Sequence, residues 1–551
     1  MRPGRMNQHF TAIDWAVWAV YFAATMGVGF YSHRYSRSTE GFTAASRSLP
    51  GWACGLSIFA TYLSSISFLA LPGKAYVANW NPFVFSLSLP VATWAAARYF
   101  LPYYRRSGEV SAYAHLERRF GPWARVYASL FYLLTQLARM GAVMFLMAMP
   151  LSILLGWDLR TIILVTGISV TVYSFVGGIV AVIWTDAMQS IVLMAGAGVC
   201  AITMLLGMPD GPGQLFEIAA RHDKFSLGSY GLSLTEPTFW VVLLYGATMN
   251  LQNFGIDQSY IQRYIASRSH REARKSIWLG GLLYLPVSAL FFFIGTALFA
   301  FYQAHPASLD DVRAAVAVQQ VQARGLDPRD AAVVAEVNAG LTDADIGDKV
   351  FPHFIGAELP PGVTGLVIAA IFAAAMSTLS TSLNSSATLL MRDYYQRYVN
   401  RTATERQSMS VLYAATVIWG MLGTGLALAM IHVQSALDAW WTLSGIFSGG
   451  MLGLFLLGMV SRRARNPAAV TAVIAGISIV LWMTLSLPAA GNVLGWGWPA
   501  GSRSPLHEYL IPVVGTLTIL LCGLLVGRLA ASGPAARSAP GDEDVAAGRL
   551  S

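Results

Sequence analysis

Long apolar stretches recur along almost the whole chain, and they constrain its fold more than any other feature. Each is about 20 residues or longer, which is enough to cross a bilayer as a helix. Hydrophobic residues make up 55% of the sequence and charged residues only 12%, a composition that excludes a water-soluble globule. The sequence therefore predicts an all-α polytopic membrane protein with a single transmembrane domain over residues 1–530. We count about thirteen stretches by hydropathy, which cover residues 11–32, 51–77, 82–104, 123–155, 159–177, 179–207, 237–265, 276–302, 361–390, 409–432, 436–459, 467–487 and 508–529.

Basic residues account for the net charge of +8, and they cluster in every second connection between the apolar stretches. This alternation is the positive-inside signature, which places the basic loops in the cytoplasm. The N-terminus is then outside and the C-terminus cytoplasmic, and no nucleic-acid partner is needed to explain the charge. The basic residues concerned are Arg34, Arg37, Arg47, Arg105, Arg106, Arg118, Arg119, Arg125, Arg268, Arg271, Arg274, Lys275, Arg392, Arg397, Arg401, Arg406, Arg462, Arg463 and Arg465.

Two regions are too polar to lie in the bilayer. Residues 303–360 are acidic and alanine-rich, and we expect an external loop with short helices that either cap an entrance or are simply solvated. Residues 531–551, rich in Ala, Ser, Gly and Pro, are expected to form a disordered cytoplasmic tail. Cys54, Cys200 and Cys522 all fall in apolar stretches, so we expect packing roles and neither a disulfide framework nor a metal cluster.

The second and seventh apolar stretches are interrupted by polar and breakable residues. In the second, Ser64, Ser65 and Ser67 precede Pro72 and Gly73. Two interrupted helices five stretches apart are what an inverted five-helix repeat predicts, with ions and substrate held at the breaks near the bilayer midplane. A kinked packing helix would explain either one alone. The polar centre of the seventh stretch consists of Asn250, Gln252, Asn253, Gly255, Asp257 and Gln258.

A row of small hydroxyl residues occupies the middle of the stretch that begins at Pro360. Helical spacing places Ser377, Ser380 and Thr381 on one face, with Thr378 beside them. Hydroxyl oxygens are hard ligands, which suit a small hard cation. The alternative is that small residues allow close helix packing and that the hydroxyls bond to carbonyls one turn earlier.

Arg139 is the one arginine that we place deep within an apolar stretch, three residues after Gln136. An arginine inside a membrane usually faces a cavity or a charged partner. Its planar donors suit a carboxylate, so one interpretation is that Arg139 binds an organic acid. The other is structural: an ion pair with Asp186 or Asp438, or a side chain that extends to the interface.

Three motifs together resemble the sodium/solute symporter family, which includes sodium/glucose, proline, sialic acid, iodide, pantothenate and monocarboxylate transporters. They are GGIVAVIWTDAMQ from Gly177, GIDQSYIQRY from Gly255, and PPGVTGLVIAAIFAAAMSTLSTSLNSSAT from Pro360. The likeness covers nearly the whole chain. It implies the leucine-transporter-type inverted five-helix repeat, with one extra N-terminal helix and two extra C-terminal helices.

The resemblance also implies sodium ligands. Matching FATYLSS and FAAAMST to the family's main sodium site places it at Ala60, Leu63, Ala374, Ser377 and Thr378. The first three would contribute carbonyl oxygens and the last two hydroxyls. Five neutral oxygens favour Na⁺ over a divalent ion, which would require carboxylates.

Some family members have a second sodium site, and the matching residues here are Asp186, Ser377, Ser380 and Thr381. A buried carboxylate is costly unless it is paired or coordinating, so Asp186 needs a partner. A purely structural hydrogen-bonding role for Asp186 remains open.

The substrate positions depart from the best-known relatives. The histidine and glutamine that contact sugar in glucose-transporting relatives match Ser67 and Trp441, and the aspartate of proline transporters matches Tyr62. The sugar set and the proline aspartate are therefore absent. The substrate-binding candidates are Ser64, Ser65, Ser67, Gln136, Arg139, Asn250, Asn253, Trp441 and Ser444, with Gln252 and Trp440 as further possible lining.

Taken together, the sequence predicts a sodium-coupled symporter of the plasma membrane that imports a small polar solute bearing a carboxylate, such as an organic acid, sugar acid or amino acid. The alternatives are a sodium/sugar or sodium/vitamin symporter, or a proton-coupled permease of the same fold. An enzyme is not expected, because the histidines are mostly loop residues without metal spacing. No cofactor is expected besides the coupling ion, and no obligate protein partner.

Overall fold

A computed structural model describes residues 10–431, 450–487 and 499–532, and the secondary structure in these ranges is helical. We label the main helices in chain order. The first half of the chain contains α1 Ala12–Ser32, α2 Gly51–Tyr62, α3 Ser65–Val77, α4 Asn81–Ser107, α5 Ala114–Phe120, α6 Pro122–Leu155, α7 Leu159–Leu206, α8 Pro212–Arg221, α9 Phe239–Ile256 and α10 Gln258–Ala266. The second half contains α11 His270–Ala304, α12 Pro306–Ala323, α13 Ala331–Ala339, α14 Asp343–Ala357, α15 Val363–Val399, α16 Glu405–Met430, α17 Met451–Val460, α18 Asn466–Leu485 and α19 Ile511–Ser532.

Nine helices in the described ranges are long and apolar enough to cross a membrane, or ten if the bent pair α2 and α3 counts as one span. The 48 residues of α7 would extend about 72 Å if straight, more than twice the thickness of a hydrocarbon core. Gly178 interrupts α7 with φ 50° and ψ −150°. This is the boundary expected between the stretches 159–177 and 179–207. The total of about thirteen spans stays a prediction.

Both predicted helix breaks are present. Helices α2 and α3 are bent by 55°, and between them Leu63 is extended with ψ 123°. The hydroxyl of Ser64 accepts a hydrogen bond from the Ser67 amide and thereby caps α3. Helices α9 and α10 are separated at Asp257, which is also extended and caps α10. Serine and aspartate serve the same purpose at the two breaks, because each satisfies an amide that the interruption leaves unpaired.

Helix α15 lies at the centre of the molecule, and 89% of its most apolar 18-residue segment is buried. It packs against α7, α1, α6 and α16, and every residue from Val367 to Leu389 is buried. The hydroxyl row therefore faces other helices and not lipid. Since both α2 and α3 also contact α15, the row lies beside one of the two breaks.

The two ends of the helix bundle differ in charge. We call the end that carries Arg105, Arg125 and Arg397 the basic end, and the end that carries α12, α13 and α14 the acidic end. The acidic segment 303–360 contains these three short helices, as expected, and α14 packs against α3. The last helix runs to Ser532, two residues beyond the predicted limit of the membrane domain. Residues 533–551 of the predicted tail lie outside the described residues.

The kink at Gly178 provides a test of the fold. A Cβ at this position would lie 2.8 Å from the ring of Phe42 and 2.9 Å from its carbonyl oxygen, and the backbone conformation is one that other residues avoid. We expect Gly178→Ala to lower the free energy of unfolding by about 1–3 kcal/mol. The control is Gly198→Ala in the same helix, where a Cβ meets no atom within 4 Å. Thermal unfolding of the purified protein measures the stability of both variants, and equal melting temperatures would contradict the predicted loss of stability in Gly178→Ala.

Candidate functional site

The first candidate site lies where the break between α2 and α3 meets α15. The hydroxyl oxygen of Ser377 lies 3.2 Å from the carbonyl oxygen of Ala60 and 3.1 Å from that of Ala374. The hydroxyl of Thr378 donates to the same Ala374 oxygen at 3.1 Å. Leu63, whose carbonyl is the remaining expected ligand, is the first residue of the break itself. The structure thus brings four of the five expected oxygens together, with the fifth residue at the adjoining break.

This cluster contains only uncharged oxygen atoms, and its residues are at most 3% exposed. Each hydroxyl has one proton to donate and lone pairs that accept, and the proton can rotate away. When the protons turn outward from the cluster, two hydroxyl and three carbonyl oxygens can face one small cation. Neutral ligands of this kind suit a monovalent ion, since a divalent ion requires more negative charge.

Asp186 forms the second candidate site with its surroundings, and it is completely buried in α7. Its Oδ2 atom accepts hydrogen bonds from the Ser57 hydroxyl at 2.5 Å and from Nη2 of Arg263 at 2.9 Å. Its Oδ1 atom has no hydrogen-bond partner among the described residues. A buried carboxylate oxygen without a partner is costly, so this atom has capacity to bind a ligand.

Arg263 corrects the prediction that Arg139 is the one arginine deep within an apolar stretch. It is 0% exposed in α10, and besides Asp186 it donates to the hydroxyls of Ser57 and Thr381, each at 2.6 Å. It went unrecognised in the sequence, although the predicted stretch 237–265 contains it, because it lies two residues before the end of that stretch and among the polar residues of GIDQSYIQRY. The available signal was Asp186 itself, because a buried acid requires a base.

The expected partners of Asp186 on α15 are arranged around this ion pair. Thr381 is joined to Asp186 through Arg263, and its hydroxyl also lies 3.3 Å from that of Thr61. The hydroxyl of Ser380 donates to the carbonyl of Ser377 at 3.2 Å, one turn back along the helix. The four residues are therefore gathered in one buried region, although the direct partners of Asp186 are Ser57 and Arg263.

A cavity of about 340 Å³ lies next to the break between α2 and α3. Five of the expected substrate residues line it: Ser64, Ser67, Gln136, Arg139 and Asn253. Sequence analysis did not propose Asp257 for substrate binding, yet Asp257 lines the cavity together with Gln252 and several aromatic residues. The aromatic lining includes Tyr62, Tyr132, Tyr260 and Tyr284.

Asn250 lies behind the cavity wall. It is fully buried, accepts a hydrogen bond from the Tyr62 hydroxyl, and donates to Ser88 at 2.8 Å and to the Phe85 carbonyl at 3.1 Å. Its contacts hold Tyr62 in place.

Three other expected substrate residues are not placed in the cavity. Trp441 and Ser444 lie outside the described residues, and Ser65 is described only as the first residue of α3.

Arg139 is partly buried and lines the cavity. Its Nη2 atom donates to the carbonyl oxygen of Thr61 at 3.0 Å, and it forms no ion pair with any carboxylate of the described residues. The structural alternative of a pair with Asp186 is wrong, because Arg263 takes that position. Asp438, the other partner considered, lies outside the described residues. Arg139 therefore keeps most of its donors for a ligand.

The cavity is open toward the acidic end of the bundle. It shares Lys74, Pro82 and Tyr509 with a second cavity of about 510 Å³, whose lining includes Ala344 and Asp348 from α14. The two cavities form a path from Arg139 to the surface at the acidic end.

Ion pairs hold the helices together at the basic end. Arg125 pairs with Glu117 at 2.9 Å and with Asp393 at 2.5 Å, and Arg397 also pairs with Glu117. These contacts join α5 and α6 to the end of α15. Arg105 adds hydrogen bonds to three carbonyls at the end of α10, the shortest being 2.7 Å to Ser267.

Comparison with known proteins identifies the family. Residues 42–476 match the family model of the sodium:solute symporter family. The sodium/sialic acid symporter NanT of Aliivibrio fischeri is 30% identical over 95% of this chain and 94% of its own. SiaT of Proteus mirabilis, also a sodium/sialic acid symporter, is 30% identical over 94% of this chain and 96% of its own.

A solved structure gives the same assignment. It is described as the substrate-bound outward-open state of a Na⁺-coupled sialic acid symporter that reveals a novel Na⁺ site, and it superposes with a TM-score of 0.79 at 28% identity. The alignment covers 94% of this chain and 98% of that one. This confirms the all-α fold class that the resemblance implied. The chain belongs to the sodium:solute symporter family and is a sodium-coupled transporter, not an enzyme.

Proposed function

We propose that the protein imports a carboxylate-bearing sugar acid of the sialic acid type, driven by the inward movement of Na⁺ across a bacterial-type plasma membrane. The observation that carries this proposal is Arg139, an arginine of the central cavity that forms no ion pair with a carboxylate of the described residues. The two curated relatives named above are sodium/sialic acid symporters, and sialic acid carries a carboxylate.

Arg139 recognises the carboxylate of the solute. A guanidinium group without an ion-pair partner inside a membrane protein is costly, and an anionic ligand offsets that cost. The fork of N–H donors binds both oxygens of a carboxylate, which fixes the orientation of the ligand as well as its charge. Ser64, Ser67 and Gln136 line the same cavity and offer further hydrogen bonds. The Gln136 amide is already oriented by the Ser382 hydroxyl, which donates to it at 2.7 Å.

Na⁺ binds at the cluster of Ala60, Leu63, Ala374, Ser377 and Thr378. The support is the closeness of the hydroxyls of α15 to the carbonyl of Ala60 at the end of α2. Sodium at this position links α2 to α15. In its absence, hydroxyl hydrogen bonds alone join the two helices at this point, and they do so more weakly. Coupling requires that Na⁺ bind one conformation better than the other, since equal affinity would shift no population.

The break between α2 and α3 couples the two ligands. The carbonyl of Ala60 faces the sodium cluster, and the next carbonyl, that of Thr61, accepts from Arg139. Three residues further, Ser64 lines the solute cavity. Any movement of the break on sodium binding is therefore transmitted to the side chains that meet the solute.

A second Na⁺ binds near Asp186, Ser377, Ser380 and Thr381. The support is the unpartnered Oδ1 atom of Asp186, and the solved relative is described as revealing a novel Na⁺ site. Because the guanidinium group of Arg263 pairs with Asp186, this ion would lie near a positive charge that the first cluster does not contain. We therefore expect it to bind more weakly than the first.

The described conformation is outward-facing. With the basic loops in the cytoplasm, the acidic end is external, so the path from Arg139 opens to the outside and the ion pairs of Arg125 close the inner side. The N-terminus is then external and the C-terminus cytoplasmic.

The sodium cluster is tested by replacing Ser377 and Thr378 with alanine together. We expect the Na⁺ concentration for half-maximal uptake in reconstituted vesicles to rise by about tenfold or more, because two of five ligands are lost. The matched control is Ser386→Ala, which removes a buried hydroxyl of the same helix that has no hydrogen-bond partner among the described residues. Unchanged sodium dependence in the double variant, or equal uptake when K⁺ replaces Na⁺, would refute the assignment.

Arg139→Gln and Arg139→Lys test recognition of the carboxylate. Loss of a hydrogen-bonded charge costs about 1.5–3 kcal/mol, so we expect sialic acid affinity to fall by about 10- to 150-fold in the glutamine variant. The sialic acid affinity of the lysine variant should lie between those of the wild type and the glutamine variant, because lysine retains the charge but not the planar fork of donors. Calorimetric titration measures affinity, and stabilisation of the free variants by Na⁺ shows that they are folded. Undiminished affinity in both variants would leave Arg139 with a structural role only.

Asp186 requires a variant pair, because a single change damages the fold. Asp186→Asn leaves Arg263 buried without its partner, and we expect a loss of about 3–5 kcal/mol in the free energy of unfolding. Adding Arg263→Gln should restore much of that stability. If Asp186 holds a second Na⁺, the restored double variant shows a lower Hill coefficient for Na⁺ than the wild type. A stable double variant with an unchanged Hill coefficient would make Asp186 purely structural.

A further inference from the structure

The wall of the cavity formed by α9 and its break carries hydrogen-bond acceptors that the proposed carboxylate contact does not use. Gln252 and Asp257 line the cavity on this wall, as do Met249 and Tyr245, which lie one and two turns before Gln252. The spacing of Tyr245, Met249 and Gln252 places them on one face of α9, and Asp257 follows at the break where α9 ends.

Gln252 has an unused acceptor. Its side chain is only 6% exposed, and its Oε1 atom has no hydrogen-bond partner among the described residues. Buried amide groups are normally paired, so the unpartnered acceptor of this cavity-wall residue is available to a ligand group. An amide oxygen accepts hydrogen bonds, so that ligand group carries an O–H or N–H donor.

Asp257 adds a negative charge to the same wall. Its Oδ1 atom accepts from the amide of Ser259 at 2.8 Å and from the Ser259 hydroxyl, which fixes the carboxylate at the N-terminus of α10. It forms no ion pair with Arg139, although both line the cavity and belong to the described part of the chain. The cavity therefore presents a cationic group on α6 and, separately, an anionic group at the break after α9.

We propose that Gln252 and Asp257 form a subsite for the hydroxyl or ammonium donors of a carboxylate-bearing solute, so that the transporter selects donor-rich acids over plain monocarboxylates and dicarboxylates. This inference rests on the proposed function of Arg139. An aliphatic chain without donor groups would exclude water from the oxygens of Gln252 and Asp257 without donating a hydrogen bond to either. A site built for a substrate O–H or N–H group therefore rejects analogues that lack it. A second carboxylate would meet Asp257 as a like charge, which is unfavourable.

Four acids with six carbons separate these possibilities. Gluconate carries hydroxyls, 6-aminohexanoate an ammonium group, hexanoate no donor, and adipate a second carboxylate. The apparent affinity of each for the purified full chain, with Na⁺ present, follows from the concentration dependence of the Tm shift. We expect gluconate or 6-aminohexanoate to bind at least about tenfold more tightly than hexanoate, and adipate to bind no better than hexanoate.

Variants identify the residues and the kind of donor. Gln252→Met removes the amide at similar volume, Asp257→Asn removes the charge, and Thr248→Val on α9 is the control, since the Thr248 hydroxyl bonds only within its own helix. A gluconate preference that falls in Gln252→Met supports hydroxyl recognition. A 6-aminohexanoate preference that falls in Asp257→Asn supports ammonium recognition. Stabilisation by Na⁺ alone shows that each variant is folded.

Two results would overturn the inference, and they differ in what else they affect. If hexanoate binds as tightly as both donor-rich acids, or if neither variant changes the preference, the subsite is refuted while carboxylate binding at Arg139 stands. If neither sialic acid nor any of the four acids stabilises the wild type in Na⁺, the proposed function fails and the subsite with it.

Discussion

A helix interrupted inside a bilayer leaves backbone carbonyls without partners, and the structure of this transporter is arranged around that constraint. At the end of α2, the carbonyl of Ala60 is met by the Ser377 hydroxyl and that of Thr61 by the Arg139 guanidinium. The hydroxyl row on α15 therefore has to lie against the break, and α15 has to lie at the centre of the bundle. Helix capping by Ser64 completes the arrangement with a side chain from the break itself.

Local features of the sequence predicted the helices, both breaks and the hydroxyl row, because polarity and spacing along one helix determine them. Contacts between distant segments were not predictable in this way. Asp186 pairs with Arg263, which lies 77 positions away in the sequence. No sequence feature near either residue identifies the other as its partner. Asn250 and Gln252 look alike in sequence, yet the rotation of α9 turns Asn250 toward Ser88 and leaves Gln252 facing the cavity. That rotation depends on packing against α4.

The centre of the protein treats its charged residues in two different ways. Arg263 and Asp186 neutralise each other and use hydroxyls of Ser57 and Thr381 to satisfy further hydrogen bonds. Arg139 has a backbone carbonyl and open cavity around it. Both are arginines at apolar depth, but breaking the first costs stability, whereas the second is available to a ligand. Burial alone therefore does not distinguish a structural charge from a binding one. The identity of the partner does.

The ion pairs at the basic end involve two arginines, Arg125 and Arg397, and two acids, Glu117 and Asp393. With all four ionised, the positive and negative charges are equal in number. Separating them exposes four charged groups to water without carrying net charge through the membrane field. A membrane potential acts on net charge displacement, so it exerts little force on this closure. The electrical sensitivity of the transport cycle must then arise where net charge moves, with Na⁺ and with any charged solute.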